Sequence, residues 1–363
     1  MTLPVPSASH APVASAPGHG RVTLARSRDE LAAALAIDDR ADRADRADGV
    51  PRAVVMTMGA LHQGHFDLVT EAARRVGPGG TVVVTIFVNP LQFAAGEDLE
   101  AYPRTLEADV EGLTAVLRAP GGQDAHDSLA VGRLIVFAPT PEVMYPHGEP
   151  AVRIDPGPIA TVLEGATRPT HVAGVAQVVL TLMHLTRPRW ALFGRKDAQQ
   201  LAIVRAMVRD LAVPVEIVPV GIRREADGLA MSSRNAYLSA QERERALALS
   251  RALDAGREAA RTGADAAGIR AAALGVLAAA PGVEVDYAAV VDPDSFVDLA
   301  GAGLGLPAAG LGLPASGEAR GTAGTAGTAR PAGTARPAGP VLLALAARVG
   351  TTRLIDNAQI DLR

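Results

Sequence analysis

The stretch Val54-Val55-Met56-Thr57-Met58-Gly59-Ala60-Leu61-His62-Gln63-Gly64-His65 decides how this chain reads: an apolar strand runs through a glycine turn into His-x-Gly-His. Gly64 has no Cβ, so the backbone can approach an oxyanion closely. A helix that begins there aims free N–H groups and the positive end of its dipole at that anion. Phe66, Leu68, Val69, Ala72, Ala73 and Val76 follow at three- and four-residue spacing and give the helix one buried stripe. His62 and His65 therefore stand at the helix start, where a nucleotide phosphate would meet them. The competing readings are a hydrogen-bonded cap or half of a metal site. Against metal stand the lack of cysteine and of a nearby third ligand, and glycines that suit phosphate better than zinc.

Working outward, the chain has 363 residues, 48% hydrophobic and 20% charged, enough for a sizeable core and for two domains. A net charge of -4, with acids and bases mixed along the chain, argues against a surface that coats nucleic acid. Zero cysteines exclude disulfides and thiolate chemistry and fit a cytoplasmic setting. No apolar run reaches the length of a membrane span, since residues 172–185 are interrupted by Gln177 and His184. Residues 1–20 are rich in Pro, Ala and Ser and read as a disordered extension rather than a secretory signal.

Residues 21–37 read as a strand and a helix, and the Ala-Asp-Arg repeat over 39–48 as a solvated helix extension or loop. Thr81-Val82-Val83-Val84-Thr85-Ile86-Phe87-Val88 is a β-branched run, the mark of a strand covered on both faces. It delivers Asn89-Pro90-Leu91-Gln92 to the carboxyl end of a parallel strand, the usual ligand crevice of open α/β sheets. Residues 94–104 form a polar loop long enough to act as a flap, and 105–118 a helix. Residues 119–133 are a Gly- and polar-rich insertion, 134–138 a buried strand, and 158–163 and 172–186 helices, with His171 between them a helix cap in one reading and a ligand contact in the other.

Two further polar clusters each follow a strand. Gly194-Arg195-Lys196-Asp197 comes after 189–193, with Gln200 one helical turn beyond Lys196: a mobile cation for phosphate, an acceptor for ribose hydroxyls and an amide that donates and accepts. Met231-Ser232-Ser233-Arg234-Asn235 comes after 215–220 and makes an anion grip. Ser239-Ala240-Gln241-Glu242 is a capping box opening a helix toward residue 261. A second helix over 264–280 and strands over 283–291, 341–348 and 353–361 complete a small α+β domain. Residues 300–340, with Gly-Thr-Ala repeats, are too small-residued to bury a core and read as a disordered insertion.

Taken in order, these motifs resemble the pantothenate synthetase (pantoate–β-alanine ligase) family. The likeness rests on residues 57–65, 86–93, 102–105, 168–175, 194–201, 224–238 and 350–357, the last being Gly350-Thr351-Thr352-Arg353-Leu354-Ile355-Asp356-Asn357. It implies that pantoate and ATP form pantoyl adenylate and pyrophosphate, after which β-alanine displaces AMP. It implies His62, His65 and Lys196 as catalytic residues, with His65 as proton donor. ATP would contact Met58, Gly59, Ala60, Leu61, His62, Gly64, His65, Gly194, Arg195, Lys196, Asp197, Arg223, Met231, Ser232, Ser233 and Arg234, with Mg²⁺ carried in on the nucleotide. Gln92 and Gln200 would hold pantoate, and Asn89 and Gln92 would reach toward β-alanine. The resemblance also implies a homodimer.

Gln63, Arg195, Ala198 and Arg223 depart from the residues common in that family. The expected fold is a doubly wound, mostly parallel Rossmann-like domain over 21–223, followed by a smaller α+β lid domain over 224–363. Rival readings are a nucleotidyltransferase of the same superfamily, betrayed by a dinucleotide product, and an ATP-binding protein without turnover.

Overall fold

The computed structural model describes residues 21–45, 50–94, 99–100, 102–118, 131–301 and 339–362. The extension at 1–20 and the insertion at 302–338 lie outside the described residues. So do 46–49 of the Ala-Asp-Arg repeat, 95–98 and 101 of the expected flap, and 119–130 of the Gly-rich segment.

Strands β1 (Arg21–Ala25), β2 (Arg52–Thr57), β3 (Thr81–Ile86), β4 (Arg133–Phe137), β5 (Trp190–Gly194) and β6 (Glu216–Val220) form a six-stranded sheet in the order β1-β4-β3-β2-β5-β6. Every pairing in it is parallel. Its apolar runs are buried on both faces, and the pleat sorts them. Val54, Val83, Ile135 and Ala191 pack with α1 (Arg28–Asp45), α6 (Pro169–Thr186) and α7 (Ala198–Asp210). Val55, Val84, Val136 and Leu192 pack with α2 (Gln63–Val76) and α3 (Leu106–Arg118).

Strand order gives the sheet a switch point. From β2 the chain steps to β3 and β4 on one side, then returns to β5 and β6 on the other. The turns leaving β2 and β5 therefore diverge at adjacent strand ends, and the crevice between them is where open α/β sheets bind ligands. His-x-Gly-His leaves one of these ends and Gly194-Arg195-Lys196 the other.

The C-terminal part is α+β. Strands β7 (Val283–Val291), β8 (Gly339–Val349) and β9 (Thr352–Leu362) form an antiparallel sheet in the order β7-β8-β9. Leu343, Leu345 and Ala347 of β8 face α8 (Ala240–Arg261) and α9 (Ala266–Ala278). Leu342, Ala344 and Ala346 face a second cluster containing Leu163 and Ala202 from the first part of the chain. The expected capping box is present: Ser239 N–H donates to Glu242 Oε2 at 2.9 Å, and Glu242 N–H to Ser239 Oγ at 3.3 Å.

One segment differs from its sequence reading. Beyond a short helix α4 (Pro141–Met144), residues 157–161 form a 3₁₀ turn rather than an α-helix, and the expected loop from 164 to 171 is helical: a short helix α5 (Leu163–Thr167), with α6 starting at Pro169. Pro169 sits in the first turn of α6, where its missing N–H costs nothing.

Close packing of α6 against the Pro90–Gln92 turn depends on Gly174. A Cβ there would lie 2.6 Å from the Leu91 carbonyl carbon and 2.9 Å from the Gln92 nitrogen. Gly174→Ala should therefore cost about 1–3 kcal/mol through overpacking. Urea unfolding measures this; a loss below a few tenths would mean the turn moves aside freely.

Candidate active site

The turn after β2 is built from within. Thr57 Oγ1 donates to the Thr85 carbonyl at 2.8 Å and accepts the Gly59 N–H at 3.2 Å. Gly59 (φ 89) and Ala60 (φ 51) are both left-handed, a conformation that is costly for the alanine. Asp109, buried on α3, holds them there: its carboxylate accepts the N–H of Ala60 at 3.1 Å and of Leu61 at 2.8 Å.

That turn delivers the two histidines as a reciprocal helix cap. Gly64 N–H donates to His62 Nδ1 and His62 N–H to His65 Nδ1, both at 3.2 Å. The rings lie 4.1 Å apart between centroids. With Nδ1 of each ring an acceptor, the hydrogen-bond network assigns the neutral-ring proton to Nε2. Burial, then the neighbouring His62, with Lys196 adding to it, pushes His65 down to about 3, overcoming the pull of Asp197. His62 is also lowered, by burial and by Lys196. Both imidazoles are neutral near pH 7.

Of the two readings the sequence leaves open, the structure shows the hydrogen-bonded cap. The amides expected to be free for an anion are not free: those of Ala60 and Leu61 go to Asp109, and those of His62 and Gly64 to the rings. What this turn offers the cleft is imidazole N–H.

A cavity of about 260 Å³ lies at the switch point. Met58, His62, Gly64, His65, Gln92, Gly194, Lys196, Asp197, Gln200, Arg223, Met231, Ser232, Ser233 and Arg234 line it, so most of the expected residues come together. An adjoining cavity of about 620 Å³ shares Lys196, Asp197, Gln200, Ser232 and Arg234, and runs under the C-terminal sheet to Arg353 and Asn357. Asn235 secures the serine-arginine turn, its N–H donating to the Ser232 carbonyl at 3.0 Å and its side-chain amide to the Ala230 carbonyl at 3.1 Å.

Other expectations are corrected. Gly59, Ala60 and Leu61 do not line the cleft but shape the turn behind it. Asn89 is fully buried: its amide donates to the Gly174 carbonyl at 3.1 Å, and its oxygen accepts from Tyr145 Oη at 2.9 Å and from Leu91 N–H at 3.3 Å. It braces the turn that presents Gln92 and does not reach the cleft. Arg195 points away, its guanidinium donating to Gln359 Oε1 at 2.9 Å. Gln63 bonds Asp67 at the surface, and Arg223 pairs with the same carboxylate at 3.6 Å.

Two residues outside the expected contact set also line the cleft. His171, read as a helix cap or a ligand contact, lines both cavities, with Nδ1 3.1 Å from the Gln92 carbonyl oxygen. Tyr102 lines the smaller cavity beside Phe93, with ring centroids 6.2 Å apart. Asp109 carried no local signal, being an acid in the first turn of a helix far along the chain. Among the described residues no group of three or more His, Asp or Glu gathers to hold a metal, and no helix is long and apolar enough to cross a membrane.

A doubly wound parallel sheet with a histidine-capped turn and a facing lysine at its switch point defines an open α/β protein with a polar ligand crevice. Within that class, the chain belongs to the pantoate-beta-alanine ligase family, whose model matches residues 29–359. It is 58% identical over 205 residues to the pantothenate synthetase of Streptomyces coelicolor, and the match spans 56% of this chain and 56% of that relative's length. The crystal structure of pantothenate synthetase from Thermus thermophilus superposes with a TM-score of 0.69 at 38% identity, covering 93% of this chain and 98% of that one. The Francisella tularensis pantoate-beta-alanine ligase, solved with Beta-gamma ATP and β-alanine, shares the fold at a TM-score of 0.61, 24% identity and coverage of 93% and 97%.

Two outcomes follow from this geometry. Asp109→Ala strands two backbone donors in a strained turn and should cost about 1–3 kcal/mol in urea unfolding, with Asp109→Asn recovering part of the loss. His65 has a folded value near 3, below its unfolded value of about 6.5. Its contribution is therefore complete above pH 6.5 and is lost as pH falls toward 3, at up to about 1.4 kcal/mol per pH unit. Unfolding at pH 7.5 and pH 5 should show a smaller acid loss in His65→Gln than in the parent chain, and equal losses would contradict the neutral buried ring.

Proposed function

We propose that this chain condenses pantoate with β-alanine to pantothenate through pantoyl adenylate, consuming ATP and releasing AMP and pyrophosphate. The observation that carries the reading is the pair of neutral imidazoles sharing one cleft with Lys196, Gln92 and Gln200 at the switch point.

In the first step a pantoate carboxylate oxygen bonds to the α-phosphorus, and the bond to the pyrophosphate oxygen breaks, its electron pair leaving with pyrophosphate. Negative charge spreads over the phosphate oxygens, where fixed donors act far more strongly than water does. His62 and His65 serve as Nε2–H donors, already desolvated and needing no proton uptake. Lys196 adds a compact ammonium, and Ser232, Ser233 and Arg234 hold the leaving group. Mg²⁺ would arrive on the polyphosphate and offset its charge.

Gln92 and Gln200 suit the hydroxyls of pantoate, since an amide both donates and accepts. In the second step the neutral amine of β-alanine attacks the acyl carbon, the bond to the AMP oxygen breaks, and the amine gives up a proton. Tyr102 and the loop around it act as a flap that keeps water from the adenylate. The chain acts as a cytoplasmic homodimer in this reading, and light scattering after gel filtration reads its mass.

Pantoate-dependent exchange of labelled pyrophosphate into ATP without β-alanine, followed by AMP release on adding β-alanine, tests the proposal. His62→Ala and Lys196→Ala should each lower exchange about 100- to 1,000-fold, the usual loss for one such donor, while still folding, His62→Ala with the loss of about 1 kcal/mol expected for a helix cap. Near-normal exchange in both variants would defeat these roles. A dinucleotide product would assign the cleft to nucleotidyl transfer instead.

A further inference from the structure

The proposed chemistry leaves the 350–357 stretch unused, and three of its side chains, Arg353, Asp356 and Asn357, reach across to other parts of the chain. The Arg353 guanidinium donates to both oxygens of Glu164 at 2.7 and 2.8 Å and to Asp286 at 2.7 Å. Asp356 accepts two bonds from Arg224 at 2.7 and 3.0 Å. Asn357, 6% exposed, donates from Nδ2 to the carbonyl oxygens of Arg195 at 3.0 Å and Lys196 at 2.8 Å.

Those two carbonyls belong to the peptide groups on either side of the Lys196 Cα. The parallel sheet cannot fix them, because its last pairing in this region is Gly194 with Val220, and the last backbone bond is Arg195 N–H to the Val220 carbonyl at 2.9 Å. Beyond it the Lys196 backbone has left the ladder. An amide that donates a hydrogen to each flanking peptide sets both peptide planes, and with them the direction of the Cα–Cβ bond. Arg195 to Gln359 adds a parallel contact on the same strand.

The side chain so directed is unusual in this chain. Lys196 is the only lysine in the sequence, every other Lys/Arg position being arginine. A flexible four-carbon stem lets the ammonium sample many positions, so a fixed root narrows what the rotamers alone would leave broad.

We propose that Asn357 is a positioning residue for Lys196, a latch by which the C-terminal sheet sets where that ammonium meets the cleft. The proposal rests on the reading of Lys196 as the cation that faces the phosphates. It predicts that losing the latch lowers the rate of adenylate formation while the Lys196 side chain is still present.

The sole lysine allows a direct test. Protein grown on [ε-¹³C]lysine gives a single side-chain Cε resonance, read in the full chain for Asn357→Ala and for the near-isosteric Asn357→Asp, which turns a carboxylate toward the same two carbonyls. Both variants should move that resonance and lower kcat for pyrophosphate exchange about tenfold with little change in the KM for pantoate. Lys196→Ala combined with Asn357→Ala should be no slower than Lys196→Ala alone, since a latch has nothing to position once the lysine is gone. An unmoved resonance, unchanged exchange, or losses that multiply in the double variant would each overturn the latch. If the parent chain itself shows no exchange, the proposed function falls, and the resonance still decides whether Asn357 positions Lys196.

Discussion

Everything at the cleft depends on the reciprocal hydrogen bonds between His62, His65 and the backbone of the helix they begin. Each ring takes a backbone proton on one nitrogen and presents its own on the other. The unsatisfied positive end of α2 is thus passed on through two imidazoles rather than exposed as bare amides. Burial and the proximity of Lys196 keep both rings uncharged, so they attract an anion by oriented N–H dipoles. This arrangement tolerates a nearby ammonium, whereas two imidazolium ions beside Lys196 would repel it and each other.

The cap in turn needs a turn that no ordinary sequence preference would hold. Ala60 at φ 51 has its amide and the one that follows held by Asp109, which comes from α3, a helix on the same sheet face as α2 but one strand later in the chain. The same logic recurs across the cleft, where the oxygens beside Lys196 are met by Asn357. Between these supports, Arg353 and Glu164 form a two-pronged pair under Tyr287. Burial raises and Arg353 lowers the Glu164 carboxyl, with Arg353 prevailing, while burial drives the Tyr287 hydroxyl well above its usual range. A pair so enclosed is costly to break from one side, at about 3–5 kcal/mol. The polar groups of this cleft wall are spent on one another.

These relations explain what the sequence could and could not reveal. Strands β2, β3 and β4 were legible because a parallel strand covered on both faces has no reason to alternate, and the His-x-Gly-His helix start because its pattern is local, although its cap was only the competing reading there. The α8 cap was equally local. Asn89 misled because its partners, Tyr145 and Gly174, lie 56 and 85 residues away, and nothing near it in sequence reveals that its amide is already used. Gln199 and Gln200 differ for the same reason: Gln199 is spent on Ile159, Val162 and Glu164, while its neighbour faces the cleft. The helical character of residues 163–171 was hidden because Pro169 reads as a breaker unless it is known to occupy a first turn.

The antiparallel pairing of β7 with β8 sets Val291 directly opposite Leu342. The two ends of the chain between them are thereby pinned side by side. Closing a loop between fixed neighbours costs entropy only as the logarithm of its length, about 0.6 kcal/mol for each doubling. By that measure the number of residues between Val291 and Leu342 weighs little, while a single misplaced methyl at Gly174 is felt at once.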